Sequence, residues 1–409
     1  MCFIALMGKI LFFAVCFLLP LLLKAQTPVD TTNNVDIDTT GQKDLIDIAR
    51  TVFKFKPRKY EKKRKEVYFS VLPLSSNVPG GSKALVTSTT AGFYLGDKGT
   101  TYLSSVNFAP YFNLKGRYGL PIHSSIWLNN NTYNIQGDTR FLVYPQYTWG
   151  LGGGRPESDK LLVNYDYIRF YQSALKRITP YFYAGVGYAT DYYININTGN
   201  SPVNLANFSG YQYGTTEGTN SFSSGLTFNL LYDTRQNSFN PIPGSFVNVI
   251  YRYNMGILGS DNNAQSVYVD LRKYVALSAG GPKNQLAFWL YYWGASTGTP
   301  YLNLPSIGND PYQRSGRGID QNRFRGRNLL YFETEYRRDI TANGLLGFVL
   351  FTNINSASQA NNHTFNYLNP AGGGGLRVKF NKKSDTNICI DYGISNGFSD
   401  INLALGEAF

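Results

Sequence analysis

The stretch NLLYDTRQNSFNPIPGSF, residues 229–246, puts an acid and a base, Asp233 and Arg235, where a strand-like run meets an Asn/Pro-rich turn. The chain then resumes at Gly244-Ser245-Phe246. Two arrangements would use those residue types at that spacing. One is an active site at a strand end. The other is a strand reaching a membrane surface, with the charged pair at the rim and Asn240, Pro241, Pro243 and Gly244 making the turn. The remaining chemistry-bearing residues favour the second. The two histidines, His123 and His363, lie far apart in sequence, and the three cysteines are Cys2, Cys16 and Cys389. No Cys, His and acid cluster has metal-ligand spacing, and no Ser, His and acid set shares one strand face. The expectation is therefore no catalytic residues, no metal and no cofactor, with Asp233 and Arg235 as rim and turn residues.

Composition defines what must position them. The 409 residues include 32 Tyr, 27 Phe and 41 Gly, only 16% are charged, and the mean hydropathy is −0.24. After Leu23 no apolar stretch is long enough to span a bilayer as a helix. Aromatic- and glycine-rich, weakly charged and without such a stretch, the chain fits an all-β, membrane-spanning antiparallel β-barrel. A soluble β-sandwich or propeller is the alternative on composition alone. Residues 1–25 read as a secretory signal peptide: Lys9, an apolar run from Ile10 to Leu23, then Lys24-Ala25-Gln26. The run is shorter than the roughly 20 residues a spanning helix requires. With Cys2 and Cys16 removed, Cys389 is left alone and no disulfide framework is expected.

Residues 26–66 read as a polar periplasmic segment, disordered in part. Leu45, Ile48, Ala49 and Val52 at helical spacing allow a short amphipathic helix within it. KFKPRKYEKKRK then carries eight Lys/Arg against one Glu, either a solvated run or a basic collar touching anionic lipid or a partner. From residue 67 to 409 the chain is a succession of strand-length segments. In LYFETEYRRD, Leu330, Phe332, Thr334 and Tyr336 share one face, and Tyr331, Glu333, Glu335, Arg337 and Asp339 the other. Ile388, Ile390, Tyr392 and Ile394 likewise oppose Asn387, Cys389, Asp391 and Gly393. The reading gives sixteen strands, and an even number is what a closed antiparallel bacterial barrel requires. Long connections (193–217, 296–327, 355–369) fall on one side, and short ones such as GDKGT and TANG on the other. The chain ends INLALGEAF, with Ile401, Leu403, Leu405 and Phe409 on one face, as in an outer-membrane assembly signal carried by Phe409.

LLYDTRQNSFNPIPGSFVNVIYRY resembles a strand-turn-strand of the BamA-type outer-membrane barrel superfamily, also called the bacterial surface antigen family. RFRGRNLLYFETEYRRD resembles its loop-six Arg-Gly motif and following strand, and GGGGLRVKF, NICIDYGIS and GEAF its closing strands. The basic linker followed by VYFSVLPLSSNVPGG looks like the start of Bacteroidetes members without POTRA domains, and residues 26–66 leave no room for one. Two positions depart from the pattern. Phe324-Arg325-Gly326-Arg327 stands for Val/Ile-Arg-Gly-Phe/Tyr, and Asn353 stands where an Asp is expected. The resemblance implies a non-enzymatic accessory or translocation/assembly-related subunit in the Gram-negative outer membrane. It would act on polypeptide or lipid through a weakly closed seam between first and last strands. A passive pore or surface structural protein is the alternative. A loop-six latch is implied in which Arg325, with Gly326 allowing close approach, docks in the lumen against Glu333 and Glu335. The implied partners are outer-membrane lipid and lipopolysaccharide, with possible periplasmic or outer-membrane proteins and no nucleic acid.

Overall fold

Burial alternates residue by residue along the strands, and this alternation gives the barrel its two surfaces. The computed structural model describes residues 41–54 and 67–409, apart from short stretches at 79–81, 113–115, 144, 236, 238–239, 242 and 279–283. Residues 1–25, read from sequence as a signal peptide, the polar segment up to residue 40 and the basic run after Lys54 lie outside the described residues. A helix, α1, spans Leu45–Phe53. The strands are β1 (Val67–Val78), β2 (Ser82–Phe93), β3 (Ser104–Phe108), β4 (Tyr111–Phe112), β5 (Tyr118–Trp127), β6 (Tyr133–Val143), β7 (Gln146–Thr148), β8 (Leu161–Thr179) and β9 (Phe182–Asn197). A short helix, α2 (Leu205–Ser209), leads to β10 (Thr219–Asp233), β11 (Gly244–Asn254), β12 (Ala264–Ala276) and β13 (Asn284–Ala295). The last five are β14 (Asn328–Asp339), β15 (Leu346–Ala357), β16 (Asn369–Asn381), β17 (Thr386–Ser395) and β18 (Phe398–Leu405).

β3 and β4 both pair with β2 and β5, and β6 and β7 both pair with β8, so each couple is one interrupted stave. Eighteen segments less these two breaks leave sixteen staves, all antiparallel to their neighbours, in a nearly closed barrel. Successive staves are joined by ladders from β1 through to β18. Among the described residues no ladder joins β1 to β18. Strand boundaries fall within a few residues of the alternation read from sequence, with three larger exceptions. β8 runs on to Thr179, β9 runs on to Asn197, and β18 stops at Leu405.

The faces sort as the pattern requires. On β14, Tyr331, Glu333 and Glu335 are fully buried, whereas Leu330, Phe332 and Tyr336 stay half exposed. On β17, Asp391 and Cys389 are buried while Ile390, Tyr392 and Ile394 are exposed. The exposed side is the lipid side, since outward-facing apolar residues are what hydrocarbon accepts.

The inside is filled. Residues 296–327, between β13 and β14, fold into the lumen and pack on Trp289, Tyr291, Tyr331 and Tyr268. At the outer end Tyr301, Leu302 and Leu304 form a capping core with Leu151, Val163 and Leu205. At the opposite end, on the side where β1 begins and β18 ends, the β10–β11 turn closes the floor. Asn240 donates to Asp385 Oδ2 (3.0 Å), Asn237 to the Ser384 carbonyl (3.1 Å), and Gln285 to the Pro241 carbonyl (2.9 Å). Leu350, 56% exposed in mid-β15, tests the face assignment. Leu350→Arg is expected to cost ~2–4 kcal/mol near the bilayer midplane. Ile257→Arg, in an outer turn and 91% exposed, should stay within about 0.5 kcal/mol. Denaturant midpoints from heat-modifiable gel migration decide, and equal losses would overturn the orientation.

Candidate functional site

Loop six, the connection 296–327 between β13 and β14, is shaped by one buried carboxylate. Asp310 accepts from the Tyr312 and Arg314 backbone N–H groups (both 3.1 Å), and from the Ser315 N–H (2.9 Å) and hydroxyl (2.7 Å). Four bonds to one side chain fold residues 310–315 into a tight hub. Beyond it the chain projects a tip, Gly316-Arg317-Gly318. Gly316 donates to the Tyr331 hydroxyl (3.1 Å), and Gly318 donates to Asp400 (3.0 Å). Gly318 has φ +81°, and a Cβ there would lie 2.6 Å from the Ile394 nitrogen. The tip thus abuts β17 in a space and conformation that glycine alone fits well.

The tip delivers Arg317 to the lumen wall. Its guanidinium donates to Asp391 Oδ2 at 2.8 Å and to both Glu333 and Glu335, and it lies 3.8 Å from the centroid of the Phe351 ring. Arg337 donates to Glu335 (2.5 Å) and to the Phe409 carbonyl (2.9 Å). Arg377 joins Asp391 (2.6 Å) to Glu407 (2.8 Å), and Arg314 donates to the Glu407 carbonyl. Four carboxylates (Glu333, Glu335, Asp391, Glu407) therefore share three guanidiniums (Arg317, Arg337, Arg377) within the filled lumen, and Arg314 joins them through the Glu407 backbone carbonyl. Charges removed from water need such balance, because an unpaired one costs several kcal/mol. The rigid fork of arginine suits one group to several carboxylates at once.

Arg325, expected from the sequence to make this contact, does not. It is fully buried, but its guanidinium donates to the carbonyls of Tyr301 (2.8 Å), Leu302 (3.3 Å) and Leu304 (3.3 Å), and to Asn322 Oδ1 (3.0 Å). Its backbone pairs with Gly152 and Ser306. Arg325 staples the two legs of loop six at the outer end. The reason is distance. Arg325 stands just before β14 begins at Asn328, while Glu335 lies seven residues down that strand, ~23 Å away at about 3.3 Å per residue. Only a loop tip folded back inward can cover that span. Gly326 does sit at a close approach, to the backbone of Ser358, where a Cβ would lie 2.6 Å from the carbonyl oxygen.

The expected acid at position 353 is an amide with a different job: Asn353 donates to the Arg317 carbonyl at 3.0 Å. Asp391, from two strands further on, supplies the extra carboxylate. Phe409 also sits elsewhere than its alternation suggested. After β18 ends, the chain turns at Gly406 into the lumen, and Phe409 is 3% exposed, 5.3 Å from Trp289 between ring centroids. Nothing gathers the histidines. His123 faces Asp138 (3.5 Å) and His363 faces Arg327 (3.2 Å). Asp233 and Arg235 pair with one another at 2.8 Å, the guanidinium lying over Phe246 at 4.0 Å. A second Arg-Gly pair in the same loop, Arg317-Gly318 beside Gly316, was the signal in sequence that could have found the true tip.

A family model described as the Omp85 superfamily domain matches residues 154–395. Among solved structures, the chain is similar to BamA from Haemophilus ducreyi lacking POTRA domains 1-3, at 14% identity and a TM-score of 0.52, covering 84% of this chain and 70% of that one. It is also similar to CdiB from Acinetobacter baumannii, at 15% identity and a TM-score of 0.51, covering 81% of this chain and 56% of that one. These likenesses are of fold, and the chain spans little more than half the length of CdiB. No curated protein sequence matches the chain.

Removing Arg317 leaves buried Glu333 without a cationic partner and takes one of two from Glu335 and from Asp391, so Arg317→Ala is expected to destabilise the folded barrel by ~3–5 kcal/mol. A double-mutant cycle of Arg317→Ala with Glu335→Gln should show coupling of about 0.5–3 kcal/mol. The same cycle between Arg325→Ala and Glu335→Gln should be additive within ~0.5 kcal/mol. Coupling in the second pair and none in the first would reverse the assignment.

Proposed function

The chain belongs to the Omp85 superfamily, and on that premise we propose that it is a non-catalytic outer-membrane barrel of the translocation and assembly class. It handles polypeptide strands or lipid at the outer membrane as an accessory or assembly-related subunit. The seam carries this reading. β1 and β18 face one another without a ladder among the described residues, while every other neighbouring pair of staves is laddered. An edge strand with free N–H and C=O groups is a template for another strand. Beside it, the tail of β18 and loop six are tied into one buried charge network, so the lumen is held shut while the edge stays available. A lumen filled by loop six, capped by Tyr301 and floored by the β10–β11 turn speaks against a passive pore. In this proposal residues 26–66, once a leader at 1–25 is removed, form a periplasmic arm that recruits a protein partner. Phe409 serves as an assembly address before folding and as a lumen anchor afterwards.

A photoreactive residue at Asn402, exposed on β18, is expected to capture nascent outer-membrane polypeptide in growing cells. Adducts with β1 of the same chain alone would remove the polypeptide reading. In planar bilayers the wild-type protein should be electrically quiet and Arg317→Ala should conduct. Steady conduction by the wild type would restore the pore.

Phe409→Ala separates the two roles given to that residue. In cells its abundance in the outer membrane should fall more steeply than expected from the stability of the refolded protein, where losing a buried aromatic costs ~3–5 kcal/mol. Abundance that merely tracks stability would leave Phe409 as an anchor only.

A further inference from the structure

Helix α1 is fastened to the barrel in an unusual way. Asp44 caps it, accepting from the Asp47 N–H at 2.7 Å, and its other oxygen accepts from the Lys382 N–H at 2.9 Å. Lys382 also reaches Asp47 (2.7 Å) and the Gln42 carbonyl (3.3 Å). Lys43 donates from its backbone to the Asn343 carbonyl at 3.1 Å. Residues 382–385 and 340–345 are the short turns on the side of the barrel that the chain's two ends share, away from loop six. α1 is thus clipped to the periplasmic rim through its polar groups. Its apolar side is left outward: Ile48 is 37% exposed, Val52 66% and Phe53 67%. Leu45 and Ala49 complete this stripe at helical spacing and are half buried, while Asp47, Arg50 and Lys54 fall on the other side. A helix docked on a protein core buries its apolar stripe. On α1 that stripe is only half buried at Leu45 and Ala49 and stays exposed at Ile48 and Val52, as the polar Arg50, Thr51 and Lys54 do.

We infer that α1 lies in the periplasmic leaflet of the membrane, its apolar stripe in the acyl boundary and its basic flank among lipid phosphates. Three observations fix the occupant as lipid. The turn bonded to Lys43 is flanked by Ile340 (59% exposed) and Leu346 (40% exposed), so α1 adjoins the end of the lipid-facing band. Its own charges near the C-terminal end are basic, Arg50 and Lys54, and the sequence continues with Lys56, Arg58, Lys59, Lys62, Lys63, Arg64 and Lys65. A helix with an apolar face and basic flanks binds in the interface plane and is drawn to anionic lipid. The rim contacts meanwhile hold it at the height where barrel wall and headgroups meet. α1 would then anchor the segment that leads into β1, and with it one side of the seam. This placement is independent of the barrel's proposed role, because it rests on α1, the rim turns with the apolar band beside them, and the basic sequence that follows.

The test uses the full chain with Cys2→Ser, Cys16→Ser and Cys389→Ala, reconstituted in vesicles of phosphatidylethanolamine and phosphatidylglycerol. Nitroxide labels are placed singly at Val52→Cys, Phe53→Cys and Arg50→Cys. Labels at Leu350→Cys and Ile257→Cys serve as lipid and water references. Collision with oxygen against a water-soluble nickel chelate is read at each. Val52 and Phe53 are expected to match Leu350, and Arg50 to match Ile257. Adding Ile48→Asp should move the Val52 label to the water value without changing heat-modifiable migration of the barrel. Water-like values at Val52 and Phe53 overturn the inference. So does shielding that develops only when a membrane extract supplies a protein partner.

Discussion

The folded lumen depends on keeping four carboxylates out of water without leaving any of them alone. Glu333, Glu335, Asp391 and Glu407 are contributed by β14, β17 and the tail after β18. The wall itself supplies Arg337 and Arg377, which neutralise only part of that charge. Arg317 of loop six adds the third cation, paired with Glu333, Glu335 and Asp391, while Arg314 donates to the Glu407 backbone carbonyl. The loop is therefore not an ornament on a finished barrel. Without it, the wall would hold excess negative charge, and water would have to enter to solvate it. The rest of loop six follows from delivering Arg317: the Asp310 hub turns the chain, the glycines allow the tip to meet β17, and Arg325 closes the loop's two legs.

A second set of charges holds the opposite wall by the same rule. Asp191 of β9 takes Arg252 at 2.6 Å and the hydroxyl of Tyr171 at 2.7 Å, and Arg169 bridges to Asp138, which in turn holds Arg140 at 2.7 Å. Arg140 then donates to the Pro311 carbonyl at 3.1 Å, so this wall also grips the loop-six hub. Loop six is gripped from β6 on one side and from β14 and β17 on the other. Its two anchors are chemically different. On the β6 side an arginine meets a neutral carbonyl, and on the β14 side an arginine meets three acids. The second contact is the one whose loss leaves buried charge behind.

Much of this was legible in the sequence because period-2 alternation is a local property. Glu333, Glu335 and Arg337 share a face however the barrel closes, and so do Ile388, Ile390 and Tyr392. Turn chemistry placed the β10–β11 turn, and Asp233 with Arg235 proved to be a pair that neutralises itself over Phe246. What was not legible was long-range. Which of two Arg-Gly pairs reaches the acids is decided by how loop six doubles back, and that depends on Asp310, whose neighbours give no periodic signal. Asn353 misled for the same reason: the missing acid is replaced by Asp391 from a strand that sequence order does not mark as a neighbour of loop six. The tail misled because alternation continues formally through Phe409, although pairing with β17 ends at Leu405.

That tail is where the network and the seam meet. β18 has a laddered neighbour on one side only among the described residues, so its hydrogen bonds alone hold it less firmly than an inner stave. Past Leu405 the chain goes inward rather than on along the wall, and it becomes tied at four points. Glu407 meets Arg377 and Asn387, the Glu407 carbonyl meets Arg314, and the Phe409 carbonyl meets Arg337. Phe409 itself stacks near Trp289 and Tyr274. A displacement of β18 away from β1 would pull directly on these bonds, and through Arg314 and Arg377 on Arg317 and Asp391. The edge of the sheet and the plug of the lumen are thus one electrostatic unit. A strand laddered on one side only among the described residues is thus tied, through the tail that follows it, to buried charge, and its displacement acts on loop six.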